Sequence, residues 1–200
     1  MKSLKWVASL ATTTVLAVCG STAHAAPAFW TDWNESGQNL VAGVLNVGGE
    51  FVQVTYSGAY RFANTNGGTN YWVPVAPYLS AAVDNGPPDS DIVALSAGGT
   101  VTISFSRPVV DPLLALVSWN GNTVDFGMPI EFLSFGRGYW GDGTPEVNAA
   151  GTGFFGNREV EVVNTLAFLA DNMGEIRFGG KPDRAGNAGS QVSGVESGGY

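Results

Sequence analysis

The sequence predicts an all-β domain, a two-sheet antiparallel β-sandwich of jelly-roll type. Glycine accounts for 28 of the 200 residues and charged side chains for only 13%, a composition that favours many turns and few helices. Segments that alternate apolar and polar residues recur along the chain, separated by glycine- and asparagine-rich turn signals. One apolar run, residues 113–119, is a candidate for the centre of the core.

Two neighbouring segments are predicted as the central strands. In residues 100–106 apolar side chains alternate with hydroxyl side chains, the period of two of a half-buried strand. Residues 113–119 are almost all apolar, so a strand there would be covered on both faces. The side chains that we expect to line the facing sheets are Val101, Ile103, Phe105, Leu114, Leu116, Ile130 and Phe132.

Local signals predict the remaining elements. Gly48-Gly49 lies between two strand-like segments and predicts a hairpin, because glycine readily adopts positive φ. Pro74 argues against a central strand and predicts a loop that folds back on the body. Residues 166–173 fit a short helix or another strand. Residues 180–200 are rich in glycine, serine and asparagine, which predicts a disordered tail.

The N-terminus has the pattern of a secretory signal peptide. Lys2 and Lys5 precede an apolar segment, residues 10–18, and Ala23-His24-Ala25 follows as a small-x-small cleavage signal. We therefore expect a signal peptide over residues 1–25, a β-sandwich domain over residues 26–179, and a secreted or periplasmic location. No segment of the mature chain has the length of a transmembrane helix.

Removal of the signal peptide limits the available chemistry. Cys19 and His24, the only cysteine and histidine, both lie within it. The mature sequence therefore excludes a disulfide, a cysteine nucleophile, a Ser-His-Asp triad and ordinary zinc, copper or haem sites. Seven basic and seventeen acidic residues remain, a net charge of −10. Because phosphate binding requires a positive field, this charge argues against a nucleic-acid partner.

Several short motifs follow one another in a distinctive order. They are Asn70-Tyr71-Trp72-Val73-Pro74, Ala76-Pro77-Tyr78, Pro87-Pro88-Asp89-Ser90-Asp91-Ile92-Val93-Ala94-Leu95, the strand from Val101 to Phe105 with Pro108-Val109 and Asp111-Pro112, Leu116-Val117-Ser118, and Gly138-Tyr139-Trp140-Gly141. In this series, which covers residues 51–143, the chain resembles exported bacterial proteins that usually end in a PEP-CTERM sorting tail. The resemblance implies export to the envelope or extracellular matrix of exopolysaccharide-producing bacteria. That family is defined by sorting rather than by activity.

The resemblance does not extend to the sorting tail. A Pro-Glu-Pro motif, an apolar segment and a basic cluster are not found in residues 179–200. The sequence therefore indicates either a simply secreted member or a chain that is truncated or altered near its C-terminus.

Aromatic residues form the first candidate site. Tyr139 and Trp140 lie in a glycine-dense segment, and Tyr71, Trp72 and Trp119 belong to the same set of motifs. Such rings can stack on the apolar face of a sugar while polar groups bind its hydroxyls. The alternative is that these rings fill the ends of the sandwich.

Asp89 and Asp91 form the second candidate site. With Asp84 and Asn85 upstream, they could supply oxygen ligands to Ca²⁺, the one cofactor that the sequence suggests, although their spacing is not that of an EF-hand. The alternative is structural: Asp89 and Ser90 cap a turn, and Asp91 accepts backbone hydrogen bonds where a strand begins.

Together these observations predict a secreted, non-catalytic envelope or extracellular-matrix protein that binds exopolysaccharide. One alternative is a carboxylate-based polysaccharide hydrolase, which needs two carboxylates and no histidine. No motif marks a pair among its candidate residues, Asp125, Glu131, Asp142, Glu146, Glu159 and Glu161. A second alternative is a purely structural, adhesin-like domain.

Overall fold

The computed structural model describes residues 27–88, 90–95, 99–119, 123–156, 162–168, 173–181 and 191–195. In these residues there are fourteen β-strands and a single turn of 3-10 helix, Ala76–Tyr78. The strands are β1 (Asp32–Gly37), β2 (Leu40–Val47), β3 (Glu50–Ser57), β4 (Tyr60–Asn64), β5 (Ile92–Leu95), β6 (Gly99–Val109), β7 (Leu113–Trp119), β8 (Thr123–Asp125), β9 (Ile130–Phe135), β10 (Pro145–Val147), β11 (Gly153–Gly156), β12 (Val162–Phe168), β13 (Met173–Lys181) and β14 (Gln191–Val195). The all-β prediction is confirmed.

The strands form two antiparallel sheets that enclose one main core. The eight-stranded sheet has the order β1-β2-β3-β6-β13-β8-β11-β10, and the six-stranded sheet has the order β4-β5-β14-β7-β12-β9. The core receives Val54, Ile103, Phe105, Val124, Phe154 and Ile176 from the larger sheet and Val93, Leu95, Leu114, Leu116 and Phe168 from the smaller one. The fold is therefore sandwich-like, as expected, and the jelly-roll connectivity stays a prediction.

The hairpin predicted at Gly48-Gly49 joins β2 to β3. Val47 pairs with Glu50, so the two glycines are the whole connection, and their φ angles are +60° and +95°. Positive φ at both central residues is the geometry that matches the twist of the flanking strands. Asn46 accepts a hydrogen bond from the Gly49 N–H at 2.9 Å through its side-chain oxygen. The hairpin prediction is confirmed.

Strand β7 is buried on both faces, as its continuous apolar sequence predicted. Leu114 and Leu116 point into the core between the sheets. Ala115 and Val117 point the opposite way, into a second cluster that includes Trp72, Tyr78 and Ile92. The second cluster exists because residues 65–88, which we call the covering loop, lie against the outer face of the six-stranded sheet. The predicted fold-back of the chain around Pro74 is therefore observed.

The N-terminal segment of the described chain holds the covering loop in place. The Asn85 side chain pairs with the Ala28 backbone, accepting from its N–H and donating to its carbonyl at 2.9 Å. The indole N–H of Trp30 donates to the Asn85 carbonyl at 3.3 Å. The segment therefore anchors the covering loop through polar contacts as well as packing.

Part of the range predicted as a disordered tail is a strand. Strand β13 extends to Lys181, and β14 lies between β5 and β7 inside the six-stranded sheet. Its residue Val192 pairs with Val93 on one side and Leu116 on the other. A composition rich in glycine, serine and asparagine disfavours order, but backbone hydrogen bonds to two neighbouring strands hold β14 in the sheet. Residues 182–190 and 196–200 lie outside the described residues.

The remaining predictions concern residues 166–173, the signal peptide and membrane-spanning helices. Residues 166–173 prove to hold the end of β12 and the start of β13, with residues 169–172 outside the described part. The predicted signal peptide also lies outside it. Among the residues that the structure describes, no helix has the length and hydropathy needed to span a membrane.

Candidate functional site

A tight turn displays two large aromatic side chains at the protein surface. The Gly138 N–H donates to the Gly141 carbonyl at 2.7 Å, so Tyr139 and Trp140 are the two central residues of the turn. Tyr139 is 46% exposed and Trp140 is 40% exposed. The segment 138–141 is therefore a surface turn whose two central side chains are partly exposed.

The covering loop supplies a third ring, Tyr71. Its ring stacks on that of Trp140, with centroids 4.7 Å apart and planes at 21°. Tyr139 meets Tyr71 edge-on at 5.2 Å and Trp140 at 4.7 Å. Phe62 of β4 lies behind Tyr71 at 6.3 Å. We call Tyr71, Tyr139 and Trp140 the aromatic cluster; it brings together residues from two separate loops.

The aromatic cluster combines a fixed apolar surface with polar groups. One face of the Trp140 ring rests on Tyr71, which restrains its orientation, and the side chain is still 40% exposed. Arg137 and Asp142, both exposed, flank the turn. Apolar ring faces with hydroxyl, guanidinium and carboxylate groups nearby are a combination suited to an amphipathic ligand.

Trp72 and Trp119 lie elsewhere, in the protein interior. Trp72 is 1% exposed, donates its indole N–H to the Asp91 carbonyl at 3.1 Å and meets Tyr78 edge-on at 5.4 Å. Trp119 is 2% exposed and packs against Phe154 at 5.5 Å. Neither ring presents a face to a ligand: Trp119 packs in the core between the sheets, and Trp72 packs on the outer face of β7 beneath the covering loop. The sequence indicated the burial of Trp119, because this residue ends the apolar run 113–119.

Two buried tyrosines also serve the packing of the body. Burial raises the pKa of Tyr78 above its usual value, and burial, with a smaller contribution from Tyr60, does the same for Tyr56. The Tyr56 hydroxyl donates to the Ala59 carbonyl at 2.8 Å. Both phenols therefore stay neutral at physiological pH.

Asp91 has a structural role through both its side chain and its backbone carbonyl. Its carboxylate accepts the Trp33 N–H at 2.9 Å, and its carbonyl accepts the Trp72 indole N–H. The residue thus joins β1, the covering loop and the start of β5. Asp89 lies outside the described residues. In the described part of the chain, no three of the residues His, Cys, Asp and Glu are grouped to hold a metal ion.

Replacing Asp91 with alanine is expected to lower the free energy of unfolding by about 1–3 kcal/mol, because the buried Trp33 N–H loses its acceptor. Asp91→Asn keeps an oxygen acceptor and is expected to lose less. Denaturant unfolding with calcium and with chelator checks this. A loss of stability that occurs only when calcium is present would instead support the metal site.

The carboxylates available to a hydrolase are mostly surface groups. Asp125, Glu131, Asp142 and Glu146 are exposed, and Glu159 and Glu161 lie outside the described residues. Asp125 accepts the Gly127 N–H at 2.9 Å and so caps the turn after β8. The polysaccharide hydrolase therefore stays a prediction, and no two of these carboxylates are identified as a catalytic pair.

Comparison with protein-family models, with curated proteins and with solved structures gives no match to this chain. The fold and the site themselves define its class: an all-β, sandwich-like protein in which two loops bring three aromatic rings together at the surface.

Proposed function

We propose that this protein is a secreted, non-catalytic component of the bacterial envelope or extracellular matrix that binds polysaccharide through the aromatic cluster. The observation that carries the proposal is the meeting of Tyr71, Tyr139 and Trp140 at the surface. Large rings left partly in water are costly to hydrate, and a cluster of them marks a binding surface more often than a single exposed ring does.

The geometry supports a sugar as the ligand. A pyranose ring has a face of C–H groups that can stack on an aromatic ring, while its hydroxyls need polar partners around the edge. Tyr71 buttresses Trp140 from behind, so little side-chain entropy remains to be lost when a ligand stacks on the indole. The turn 138–141 and the covering loop form one binding surface in this proposal.

Sequence features support the location. The signal-peptide pattern over residues 1–25 favours export, and the order of motifs over residues 51–143 resembles exported bacterial proteins of the PEP-CTERM type. The net charge of −10 after the signal peptide suits a protein that stays soluble outside the cell.

Affinity electrophoresis against a panel of polysaccharides, including the exopolysaccharide of the producing organism, tests the proposal. Trp140→Ala is expected to weaken binding by roughly tenfold, equivalent to about 1.4 kcal/mol, because the stacking surface is lost. Phe51→Ala is the matched control, since Phe51 is 67% exposed on β3 of the other sheet. Unchanged mobility of the wild-type protein in every polysaccharide would refute the proposal.

A further inference from the structure

Two of the four arginines of the described chain, Arg61 and Arg137, form no ion pair with a described carboxylate, and of these two Arg137 directly precedes the turn 138–141. Arg107 is paired with Glu50, and Arg177 with Glu175 at 3.2 Å. Arg137 is exposed, and no carboxylate of the described residues, Asp142 included, lies within ion-pair distance of it. In a mature chain with seventeen acidic and seven basic residues, a guanidinium without such a partner is available to an anion from outside.

The position of Arg137 in the chain places it beside the candidate site. It immediately precedes Gly138, whose N–H closes the turn that carries Tyr139 and Trp140. Asp142 follows the turn on its other side and is exposed too. Tyr139 and Trp140 are therefore flanked in the chain by one cation and one anion.

We infer that the ligand of the aromatic cluster is an acidic polysaccharide, one whose sugars carry carboxylate groups, and that Arg137 binds the carboxylate. This inference rests on the proposed function. A guanidinium presents paired N–H donors that match the two oxygens of a carboxylate, and such charge-assisted bonds are stronger than neutral ones. The sugar ring stacks on Trp140, and Asp142 accepts hydrogen bonds from sugar hydroxyls.

The negative charge of the whole chain does not prevent this contact. At physiological salt, exposed charges more than about 8 Å apart are largely screened from one another. The contact between guanidinium and carboxylate is direct and is screened much less. Arg137 therefore decides the local preference even though the chain without the signal peptide carries a net charge of −10.

The test compares polygalacturonate with the same polymer after reduction of its carboxyl groups, using calorimetry or affinity electrophoresis. The wild-type protein is expected to bind the acidic form about tenfold more tightly than the reduced form. Arg137→Gln is expected to remove that preference, so that this variant binds the acidic and the reduced polymer with equal affinity. Arg137→Lys keeps the charge without the paired donors and is expected to fall between the two.

Arg61→Gln is the matched control, because Arg61 is exposed on β4 and also has no carboxylate of the described residues within ion-pair distance. It is expected to leave the preference intact. Equal affinity of the wild-type protein for both polymers, or an equal effect of Arg61→Gln and Arg137→Gln, would overturn the inference. If both polymers bind equally and Trp140→Ala weakens both, the inference fails and the proposed function stands; if the wild-type protein binds neither polymer nor any other polysaccharide, both fail.

Discussion

Replacing Trp72 with alanine is expected to lower the free energy of unfolding by about 3–5 kcal/mol, the range for removing a buried aromatic side chain. Trp72 is almost fully buried, and it packs with Ala115 and Val117 on the outer face of β7. Its loss opens a cavity beneath the covering loop and leaves the Asp91 carbonyl without the indole donor. Urea unfolding followed by tyrosine and tryptophan fluorescence measures the change.

Trp140→Ala is the control for this prediction, since it removes the same side chain from a site that is 40% exposed. We expect it to change the free energy of unfolding by less than about 1 kcal/mol, as is usual for surface positions. The two variants thus separate a core tryptophan from a surface tryptophan. A Trp72→Ala protein of normal stability that no longer binds polysaccharide would show instead that Trp72 contacts the ligand.

Replacing Gly156 with alanine is expected to destabilise the protein by about 1–3 kcal/mol or more, because the added methyl group has no space. A Cβ atom at this position would lie 1.9 Å from the Trp119 carbonyl oxygen and 2.9 Å from its carbon. Both are backbone atoms, so neither can move aside as a side chain would. Relief requires β11 and the end of β7 to separate, which weakens the contact between the two sheets. Thermal and urea unfolding measure the loss.

Gly174→Ala provides the comparison on another strand. No atom lies within 4 Å of a Cβ built at Gly174, and its φ is not in the positive range. We expect this variant to match the wild-type protein or to exceed it slightly, because alanine reduces the conformational freedom of the unfolded chain. Equal stability of the Gly156 and Gly174 variants would show that the two sheets can separate at Trp119 at no cost.

These variants bear on function because they divide the aromatic residues by role. Trp72 and Trp119 are buried and stabilise the fold, whereas Tyr139 and Trp140 are partly exposed on a turn. Substitutions at the turn should therefore alter binding without unfolding the protein. This separation lets the proposed polysaccharide binding be tested independently of stability.

The candidate site could be predicted only in part. The glycines around Tyr139 and Trp140 predicted a sharp turn that presents both rings, because the residues that favour a turn act locally. Tyr71 and Trp72 looked equivalent in the sequence, yet one joins the surface cluster and the other is buried. Both residues lie in the covering loop, outside any strand, so the direction of each side chain depends on how the loop lies against the body. No local signal in the sequence identifies Arg137 as a binding residue, because its lack of an acidic partner depends on side chains that are distant along the chain.

The sequence by itself determined the fold class, the β2–β3 hairpin and the burial of β7 on both faces, because alternation, continuous apolar runs and paired glycines act over a few residues. Only the tertiary structure decided that the covering loop buries the outer face of β7, that β14 inserts between β5 and β7, and that Tyr71 meets Trp140. Each of these contacts joins segments far apart in the chain. Packing of such segments depends on the shape and hydrogen-bonding needs of both partners together, which no single segment encodes.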